Sequence, residues 1–482
     1  MNIRGIVALL GIVLIIIGLA MLLPMAWSLY YADGDWKAFL YPVFITLGFG
    51  VITFFAAGQR GEYNSRDAFA AVTLSWIAAS VFASLPYMFS GVLPTFADAF
   101  FETMSGFTTT GASVFSDVEN LPHGILFWRS LTHWLGGMGI VVLFVALLSS
   151  LGAGGMQMFK AEAPGPVAEK IKPRISETAK ILWMTYVVLT ILQIILLWVS
   201  GMSFFDALCH AFGTLATGGF STKNASIGFY EQPLIQWIVI LFMFMAGANF
   251  TLYFQALRRR NLQNFWRNIE FRAYLIIVAV FIVLITAMLA FTIPQSFEAS
   301  LRQAAFQVVS VITTTGYATA DFGLWPFFIQ ALLVILMFIG GCSGSTSGSI
   351  KVGRILILTK QYRIEMQRAM HPRGIFDVKV GGKHVGIDVV INVHQFFFIY
   401  MLIVAISVII ISLLADLDIV SSFTAVAATL GNVGPGLGRV GPMENYGFIP
   451  AAAKYYLSFL MLLGRLELYT ALVFFLPSFW KK

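Results

Sequence analysis

Charged residues are scarce in this sequence, and their scarcity excludes most classes of protein. Of 482 residues, 11% are charged, whereas 59% belong to the hydrophobic set AVILMFWYC, and the mean hydropathy is +0.84. Soluble domains carry about 25% charged residues. A water-soluble fold could not cover its surface with so few ionic groups. The composition excludes a chain of soluble domains and predicts a polytopic integral membrane protein.

Cysteines and catalytic motifs are also few. The two cysteines, Cys209 and Cys342, lie in or beside apolar segments and form no disulfide or metal pattern. The sequence contains neither HExxH nor GxSxG, and no GxGxxG stands in a βαβ context. His133 and His210 are expected to be hydrogen-bonded core residues rather than metal ligands. We therefore expect no enzyme activity, no organic cofactor and no nucleotide-binding domain in this chain.

Long apolar runs dominate what is present. About 20 apolar residues cross a bilayer as a helix, and ten candidate spans can be assigned. The first follows Arg4 and is interpreted as a retained helix, because no small-residue cleavage site stands out. The predicted spans lie near 5–30, 37–58, 68–90, 125–150, 179–201, 233–257, 272–293, 327–358, 392–415 and 449–477.

Lysine and arginine are distributed unevenly between the connections. The termini and the connections after spans two, four, six and eight hold 23 of the 30 Lys and Arg residues, so both termini are predicted to be cytoplasmic. The net charge of +7 is thus explained by topology, and we expect no nucleic-acid partner. Four segments on the opposite face carry five acidic against two basic residues, which fits a cation-attracting mouth or topology alone. These outer residues lie in segments 112–124, 220–232, 317–326 and 435–449.

Four shorter apolar stretches lie between the spans, near 97–109, 204–216, 298–313 and 419–431. Such lengths are typical of re-entrant or buried segments. Each stretch ends in small and polar residues: FTTTGAS (107–113), LATGGFS (215–221), ITTTGYAT (312–319) and LGNVGPG (430–436). Helix, short helix, glycine-bearing loop and returning helix therefore occur four times. The predicted fold is all-α, with four such repeats in pseudo-fourfold arrangement around one pore.

The repeat divides the chain into five predicted segments. They are an N-terminal two-helix extension (1–66), pore repeat 1 (67–177), pore repeat 2 (178–268), pore repeat 3 with an interrupted second helix (269–387) and pore repeat 4 (388–482).

This pattern suits the chemistry of a dehydrated cation. Rings of backbone carbonyls replace its water shell when four similar loops converge on one axis. Glycine permits the backbone conformations that such loops need, and the C-terminal ends of short helices add partial negative charge. One TTG tripeptide is weak evidence, because Gly, Thr and Ser are ordinary packing residues in membrane helices. Four copies at equivalent positions strongly favour a cation pathway.

The four loops resemble those of the Trk/Ktr/HKT superfamily of potassium and sodium transporters. The N-terminal helix pair and the segment GGCSGSTSGSIKVGR (340–354) resemble the bacterial TrkH-type membrane subunits in particular. The resemblance covers essentially the whole chain. It implies a selectivity filter, and the potassium-binding residues carried over are Thr109, Thr110, Gly111, Thr217, Gly218, Gly219, Thr314, Thr315, Gly316, Asn432, Val433 and Gly434.

The second and fourth loops differ from the other two. In loop 2 we align on Gly219 rather than Gly218, because the residues after Gly219 then match those that follow the other glycines. Loop 4 departs most, with Asn432-Val433 in place of Thr-Thr and Pro435 after the glycine, so the filter is only approximately fourfold.

Span eight is interrupted by a run rich in Gly and Ser. Such residues lower helix stability, and broken backbone at membrane depth is tolerated only against protein or a water-filled cavity. We interpret the run as a flexible intramembrane loop below the filter that blocks or clears the path, with a packing kink as the alternative. The resemblance favours a gate. The predicted gating residues are Gly341, Gly344, Ser345, Thr346, Ser347, Gly348 and Arg465.

Arg465 lies within the tenth span, where a cation is energetically costly and indicates function. Glu467 is only two residues further on, so it faces elsewhere on a helix. We expect Arg465 to point into the pore or towards loop carbonyls and to repel cations in a closed state. The alternative is a packed arginine that satisfies backbone carbonyls.

Together these features predict potassium-selective, channel-like uptake, with potassium as the transported ion. Serine in the first loop accompanies sodium permeation in plant relatives, so Gly111 argues for potassium. The alternative is a proton- or sodium-coupled secondary transporter of a small cation, which would need membrane carboxylates such as Glu467. The resemblance further implies a homodimer in the bacterial inner membrane, in contact with lipids, and a separate cytosolic TrkA-like ring of nucleotide-binding domains.

Overall fold

The computed structural model describes residues 1–57, 64–137, 139, 175–259, 261, 263–374 and 376–480, and the chain is mostly helical over them. Some of the basic residues that were predicted to be cytoplasmic lie outside this described part. They are Arg60, those from Lys160 to Arg174, Arg260, Lys481 and Lys482.

Three helices precede the repeats. Helices α1 (Ile3–Ala20) and α2 (Leu22–Tyr31) form one span, and α3 (Lys37–Ala56) returns beside α1. The backbones of α1 and α3 approach closely at glycines. A Cβ atom on Gly11 would lie 2.7 Å from the Gly50 carbonyl oxygen, and one on Gly50 would lie 2.9 Å from the Gly11 oxygen. Small residues permit this contact between membrane helices, so the pair holds the extension together.

Each repeat begins with an outgoing helix and a short helix. The outgoing helices are α4 (Ser65–Ala83) with its continuation α5 (Leu85–Phe89), α8 (Ile175–Val199), α13 (Ile269–Thr292) and α17 (Ile387–Ala415). The short helices, called pore helices below, are α6 (Phe96–Phe107), α9 (Phe204–Leu215), α14 (Phe297–Ile312) and α18 (Ile419–Leu430). The four short stretches predicted from sequence are therefore confirmed to within two residues at each end.

The remaining elements complete the repeats. The returning helices are α7 (His123–Gly137), α10 (Pro233–Ala246) with α11 (Phe250–Arg259), α15 (Phe327–Ile339) with α16 (Val352–Met370) beyond a break, and α19 (Ala451–Arg465) with α20 (Tyr469–Leu472). The smaller elements are α12 (Gln263–Arg267), a hairpin of β1 (Lys379–Val380) and β2 (Lys383–His384), α21 (Pro477–Trp480) and the 3-10 turns Ser226–Phe229, Phe322–Leu324, Gly438–Val440 and Val473–Phe475.

Eight of the ten predicted spans are found among the described residues once broken helices are considered. Six helices are long and apolar enough to cross a membrane, or eight if each bent pair is one span. Of the ten predicted spans, two are not in that count. The span near 125–150 is described only through Gly137 and at Gly139, and the span near 327–358 is divided after Ile339.

The returning helices share a break that the sequence indicated only for span eight. The spans predicted near 233–257 and 449–477 are bent rather than straight, by 96° between α10 and α11 and by 119° after α19. In repeat 1, Gly139 has a φ of +70°, which a right-handed helix does not allow. The returning chain thus leaves its helix in each repeat.

We expect Gly50→Leu to destabilise the protein, because its side chain would meet the backbone of α1. Overpacking of this kind costs about 1–3 kcal/mol, which lowers the thermal unfolding midpoint in detergent. The matched control is Gly48→Leu on the same helix, since a Cβ at Gly48 has no atom within 4 Å. Equal midpoints for the two variants would contradict the close contact.

Candidate functional site: a ring of four filter loops

Each pore helix begins at a side chain that caps it. In every case the capping oxygen accepts a hydrogen bond from the backbone N–H three residues further on, which satisfies one of the free N–H groups at a helix start. The caps fix where each helix begins. The four capping residues are Thr95, Ser203, Ser296 and Asp418.

The four pore helices also end in the same turn. One residue past the C-cap has a left-handed φ between +54° and +57°, namely Thr109, Thr217, Thr314 and Asn432. The N–H of the next residue then bonds the carbonyl five residues back, at N···O distances of 2.8–2.9 Å, as in a Schellman motif. A left-handed conformation is unusual for threonine and costs roughly 1–3 kcal/mol where it occurs. Such strain persists only where the surrounding structure imposes it.

The glycines that follow close the four loops into a ring. Loops 1 to 4 are residues 107–113, 215–221, 312–319 and 430–436. A Cβ atom on each filter glycine would overlap the carbonyl oxygen of the next loop. The distance from the added Cβ to the carbonyl oxygen would be 2.1 Å for Gly111 and Gly218, 2.0 Å for Gly219 and Thr315, 2.2 Å for Gly316 and Val433, and 2.5 Å for Gly434 and Thr110. The order of contacts is cyclic, so the four loops surround one axis.

The ring brings together all twelve residues that the resemblance assigned to the filter. Gly219 has a φ of +83°, against +82° at Gly111 and +81° at Gly316, which agrees with the alignment on Gly219 rather than Gly218. Their contacts with an ion stay a prediction.

The departure in loop 4 has a structural explanation. Asn432 occupies the left-handed position, which asparagine tolerates better than threonine. Its Nδ2 donates hydrogen bonds to Thr110 Oγ1 at 3.0 Å and to the Met461 carbonyl oxygen at 2.9 Å. The asparagine therefore ties loop 4 to loop 1 and to α19.

The ring forms the floor of an open depression whose water-accessible volume is about 160 Å³. Of the seven charged residues that sequence analysis placed on the outer segments, Lys223 and Glu444 line it. Asp117 instead accepts hydrogen bonds from Asn224 and Asn120 at 2.8 and 2.6 Å, and these bonds lower its pKa. The outer acids therefore act partly as braces between loops, and the wall is less acidic than the sequence suggested.

Two charged residues beside the ring were missed by the sequence analysis. Glu102 on α6 and Arg129 on α7 are 0% and 2% exposed and form an ion pair at 2.8 Å. Arg129 also contacts loops 1 and 2 and lines the depression. Both lie in apolar stretches of the sequence, where an ionisable residue indicates a functional role and a partner.

Both histidines that were predicted to be core residues are buried and hydrogen-bonded. His133 Nδ1 donates to the Gly106 carbonyl oxygen at 2.7 Å, and its Nε2 accepts from the Phe220 N–H at 3.1 Å. His210 bonds the Asp206 carbonyl oxygen at 2.7 Å and the Ser221 hydroxyl at 2.9 Å. The predicted core role is confirmed, and both residues support loop 2.

The segment that interrupts span eight lies against the inner side of the ring. Within residues 340–351, called the interrupting segment, the Thr346 hydroxyl donates to the carbonyl oxygens of Leu215 and Ala246 at 3.1 and 3.3 Å. The N–H of Gly348 bonds Thr314 Oγ1 at 2.8 Å. The Ser349 hydroxyl bonds the Gly431 carbonyl oxygen at 3.1 Å. The segment thus reaches three of the four pore-helix ends.

Arg465 reaches the fourth. Its guanidinium bonds Thr109 Oγ1 at 3.2 Å and the carbonyl oxygen of Thr346 at 2.9 Å. It also bonds the carbonyl oxygens of Gly136 and Gly137, at 2.5 and 2.8 Å. The side chain therefore points towards loop 1 and towards the breaks in the returning helices. This agrees with one of its two predicted orientations.

The prediction for Glu467 assumed a continuous helix and is wrong in that respect, because α19 ends at Arg465 and Glu467 follows in the break with a φ of +52°. Glu467 pairs with Lys351, the last residue of the interrupting segment, at 3.1 Å and with Arg354 in the first turn of α16. The acid that a proton-coupled mechanism would have used is therefore held between two cations.

Comparison with known proteins places these features in a family context. The sequence profile of the TrkH family, described as cation transport protein, matches residues 37–482. The Trk system potassium uptake protein TrkH of Salmonella typhimurium is 42% identical over 100% of both chains. TrkG of Escherichia coli K12, also named a Trk system potassium uptake protein, is 35% identical over 100% of this chain and 99% of its own. The crystal structure of the potassium transporter TrkH from Vibrio parahaemolyticus superposes with a TM-score of 0.90 at 39% identity, over 100% of both chains.

We expect Gly111→Ser to lower the ratio of rubidium to sodium uptake several-fold in liposomes. The new side chain would displace the Gly218 carbonyl and distort one quarter of the ring. Gly91→Ser is the matched control, because Gly91 has a similar φ of +75° but no atom within 4 Å of a Cβ. An unchanged uptake ratio in Gly111→Ser would contradict a role for the ring in ion discrimination.

Proposed function

Because the chain belongs to the TrkH family of cation transport proteins, we propose that it takes up potassium through the ring of filter loops. The observation that carries this proposal is the cyclic contact between each filter glycine and the carbonyl of the next loop. Four carbonyl-bearing loops around one axis can replace the hydration shell of a monovalent cation. The pore helices end at these loops, so their partial negative charge further favours a cation there.

The proposal includes a closed conformation. The interrupting segment and Arg465 together contact residues at the ends of all four pore helices. A cation that left the ring without its water shell would need the same oxygen atoms. It would also meet the Arg465 charge, and two unit charges about 4 Å apart repel by roughly 4 kcal/mol at an effective dielectric constant of about 20. Opening then requires both groups to leave the path.

A channel-like mechanism fits better than proton- or sodium-coupled carriage. Glu467 is 8% exposed and lies between Lys351 and Arg354, so it already serves as a counter-ion. An acid in that environment would have to break two ion pairs before it could take up a proton. The coupled transporter therefore stays a second candidate without a contact in its favour.

The partner and the location complete the proposal. We place the protein in a bacterial inner membrane as a homodimer, with both termini cytoplasmic and the five predicted segments as its organisation. Gating would come from a cytosolic, TrkA-like ring of nucleotide-binding domains. Exposed basic residues such as Arg363 and Arg368 on α16 supply charge that could steer an acidic partner surface.

We expect Arg465→Ala to raise rubidium uptake several-fold in liposomes that contain no cytosolic partner, because it removes the charge below the ring. Deletion of residues 344–349 should act in the same direction. Arg465→Lys, which keeps the charge, is the control and should stay near the wild-type rate. Uptake at or below wild type in both the alanine and the deletion variant, with folding intact, would leave only a packing role.

We expect charge reversal at Arg363 and Arg368 to reduce co-purification with the nucleotide-binding ring and to weaken nucleotide-dependent uptake. Such binding should also weaken as salt is raised. The control is Lys37→Glu, because Lys37 is exposed and is predicted to lie on the face opposite the cytoplasmic one. Full nucleotide sensitivity in the charge-reversed protein would mean that docking lies elsewhere.

A further inference from the structure

We infer that Arg129, held by Glu102, is a positioning residue that sets the separation of filter loops 1 and 2 and so contributes to discrimination between potassium and sodium. This inference rests on the proposed function of the ring. It assigns to the buried pair a role in selectivity beyond that of a fold-stabilising ion pair.

The guanidinium of Arg129 uses each nitrogen for a different partner. Its Nε bonds Glu102 Oε1 at 2.8 Å. Its Nη2 donates to Ser113 Oγ in loop 1, and its Nη1 donates to the Ser221 carbonyl oxygen in loop 2, both at 3.1 Å. A planar fork with fixed angles between its donors transmits the position of one loop to the other.

Glu102 completes the link on the loop 1 side. Its second oxygen accepts the N–H of Val114 at 2.9 Å, and its first also accepts the Ser113 hydroxyl at 3.0 Å. The carboxylate therefore holds the backbone directly after loop 1 while it neutralises the arginine. Since Arg129 lines the outer depression, that neutralisation also keeps an uncompensated positive charge away from the entrance.

The pair extends a brace that recurs in loops 1 and 2. Ser113 and Ser221 both lie two residues after the filter glycine, and each hydroxyl accepts the N–H two residues further on, from Phe115 and Lys223. A pore-helix side chain nine residues before the glycine holds each serine. That side chain is Glu102 in repeat 1 and His210 in repeat 2.

Loops 3 and 4 lack this brace. The positions equivalent to the two serines are Ala318 and Gly436, and those equivalent to Glu102 are Gln307 and Ala425. Gln307 is 0% exposed, and within the described residues neither atom of its amide has a hydrogen-bond partner. The polar network therefore fixes one side of the ring, and Arg129 joins its two halves.

The guanidinium also packs against the residue that follows the second filter glycine. Its central carbon lies 4.2 Å from the centre of the Phe220 ring, and the imidazole of His133 stacks on the same ring with centroids 4.1 Å apart. Movement of Arg129 would therefore displace Phe220, which directly follows Gly219 in the chain.

The test measures the ratio of rubidium to sodium uptake by the full-length protein in liposomes. Arg129→Lys keeps the charge but cannot reach all three partners, and Glu102→Gln keeps the shape but removes the counter-charge. Ser113→Ala is a milder change that removes one hydroxyl. We expect each variant to lower the uptake ratio several-fold, because the spacing of loops 1 and 2 is no longer fixed.

The matched control is Lys454→Gln. Lys454 is 4% exposed and pairs with Asp98 at 2.5 Å, but it contacts the Gly447 carbonyl rather than a filter loop. The Lys454→Gln substitution should lower the thermal unfolding midpoint, while the ratio of rubidium to sodium uptake stays at the wild-type value. A ratio that falls equally in this control would show a general effect of lost stability and would overturn the inference.

The outcomes separate this inference from the proposed function. If the wild-type protein fails to take up rubidium, the proposed function fails. If the wild type discriminates and the ratio is unchanged in Arg129→Lys, Glu102→Gln and Ser113→Ala, only the positioning role fails. A further variant, Arg129→Gln, removes the positive charge. If total uptake changes in opposite directions in Arg129→Gln and Glu102→Gln while the uptake ratio is unchanged, the pair acts through its charges alone, and this result would also overturn the inference.

Discussion

The structure depends on the absence of a side chain at four points. At Gly111, Gly219, Gly316 and Gly434 a neighbouring carbonyl oxygen occupies the place where a Cβ would stand. Because each contact joins one loop to the next, no single loop can adopt its conformation alone. The left-handed residues at the pore-helix ends, three of them threonines, are held in place by this closure. Local strain and ring geometry are therefore two aspects of one constraint.

Two arginines flank the ring, the buried Arg129 and the partly buried Arg465, and different groups surround their guanidiniums. Arg129, on the outer side, is neutralised by Glu102 within an ion pair at 2.8 Å. Arg465, on the inner side, is bound by carbonyl oxygens and the Thr109 hydroxyl. An ion pair has a weak field at a distance, whereas a cation solvated by dipoles keeps most of its own. These contacts support the proposed scaffold role of Arg129 and the proposed barrier role of Arg465.

Much of this arrangement could be predicted from the sequence. The pore helices and the alignment on Gly219 followed from local patterns, since short apolar stretches and glycine-bearing loops are encoded within a few residues. The bends after α10 and α19 could not be predicted. The carbonyl of Gly247 accepts from the N–H of Cys342, and Glu467 is held by Arg354, so both breaks depend on contacts with residues about one hundred positions away. The pairing of Glu102 with Arg129, 27 positions apart, was also missed because it is a tertiary contact, although their positions in apolar stretches pointed to it.

The interrupting segment binds the pore-helix ends through neutral hydrogen bonds, from Thr346, Gly348 and Ser349. Water can replace each of these bonds at a net cost of only about 0.5–1.5 kcal/mol. In the proposed opening, withdrawal of the segment is therefore a hydration reaction, in which water enters as the hydroxyls and the amide leave. The same segment would be sensitive to any solute that lowers the activity of water.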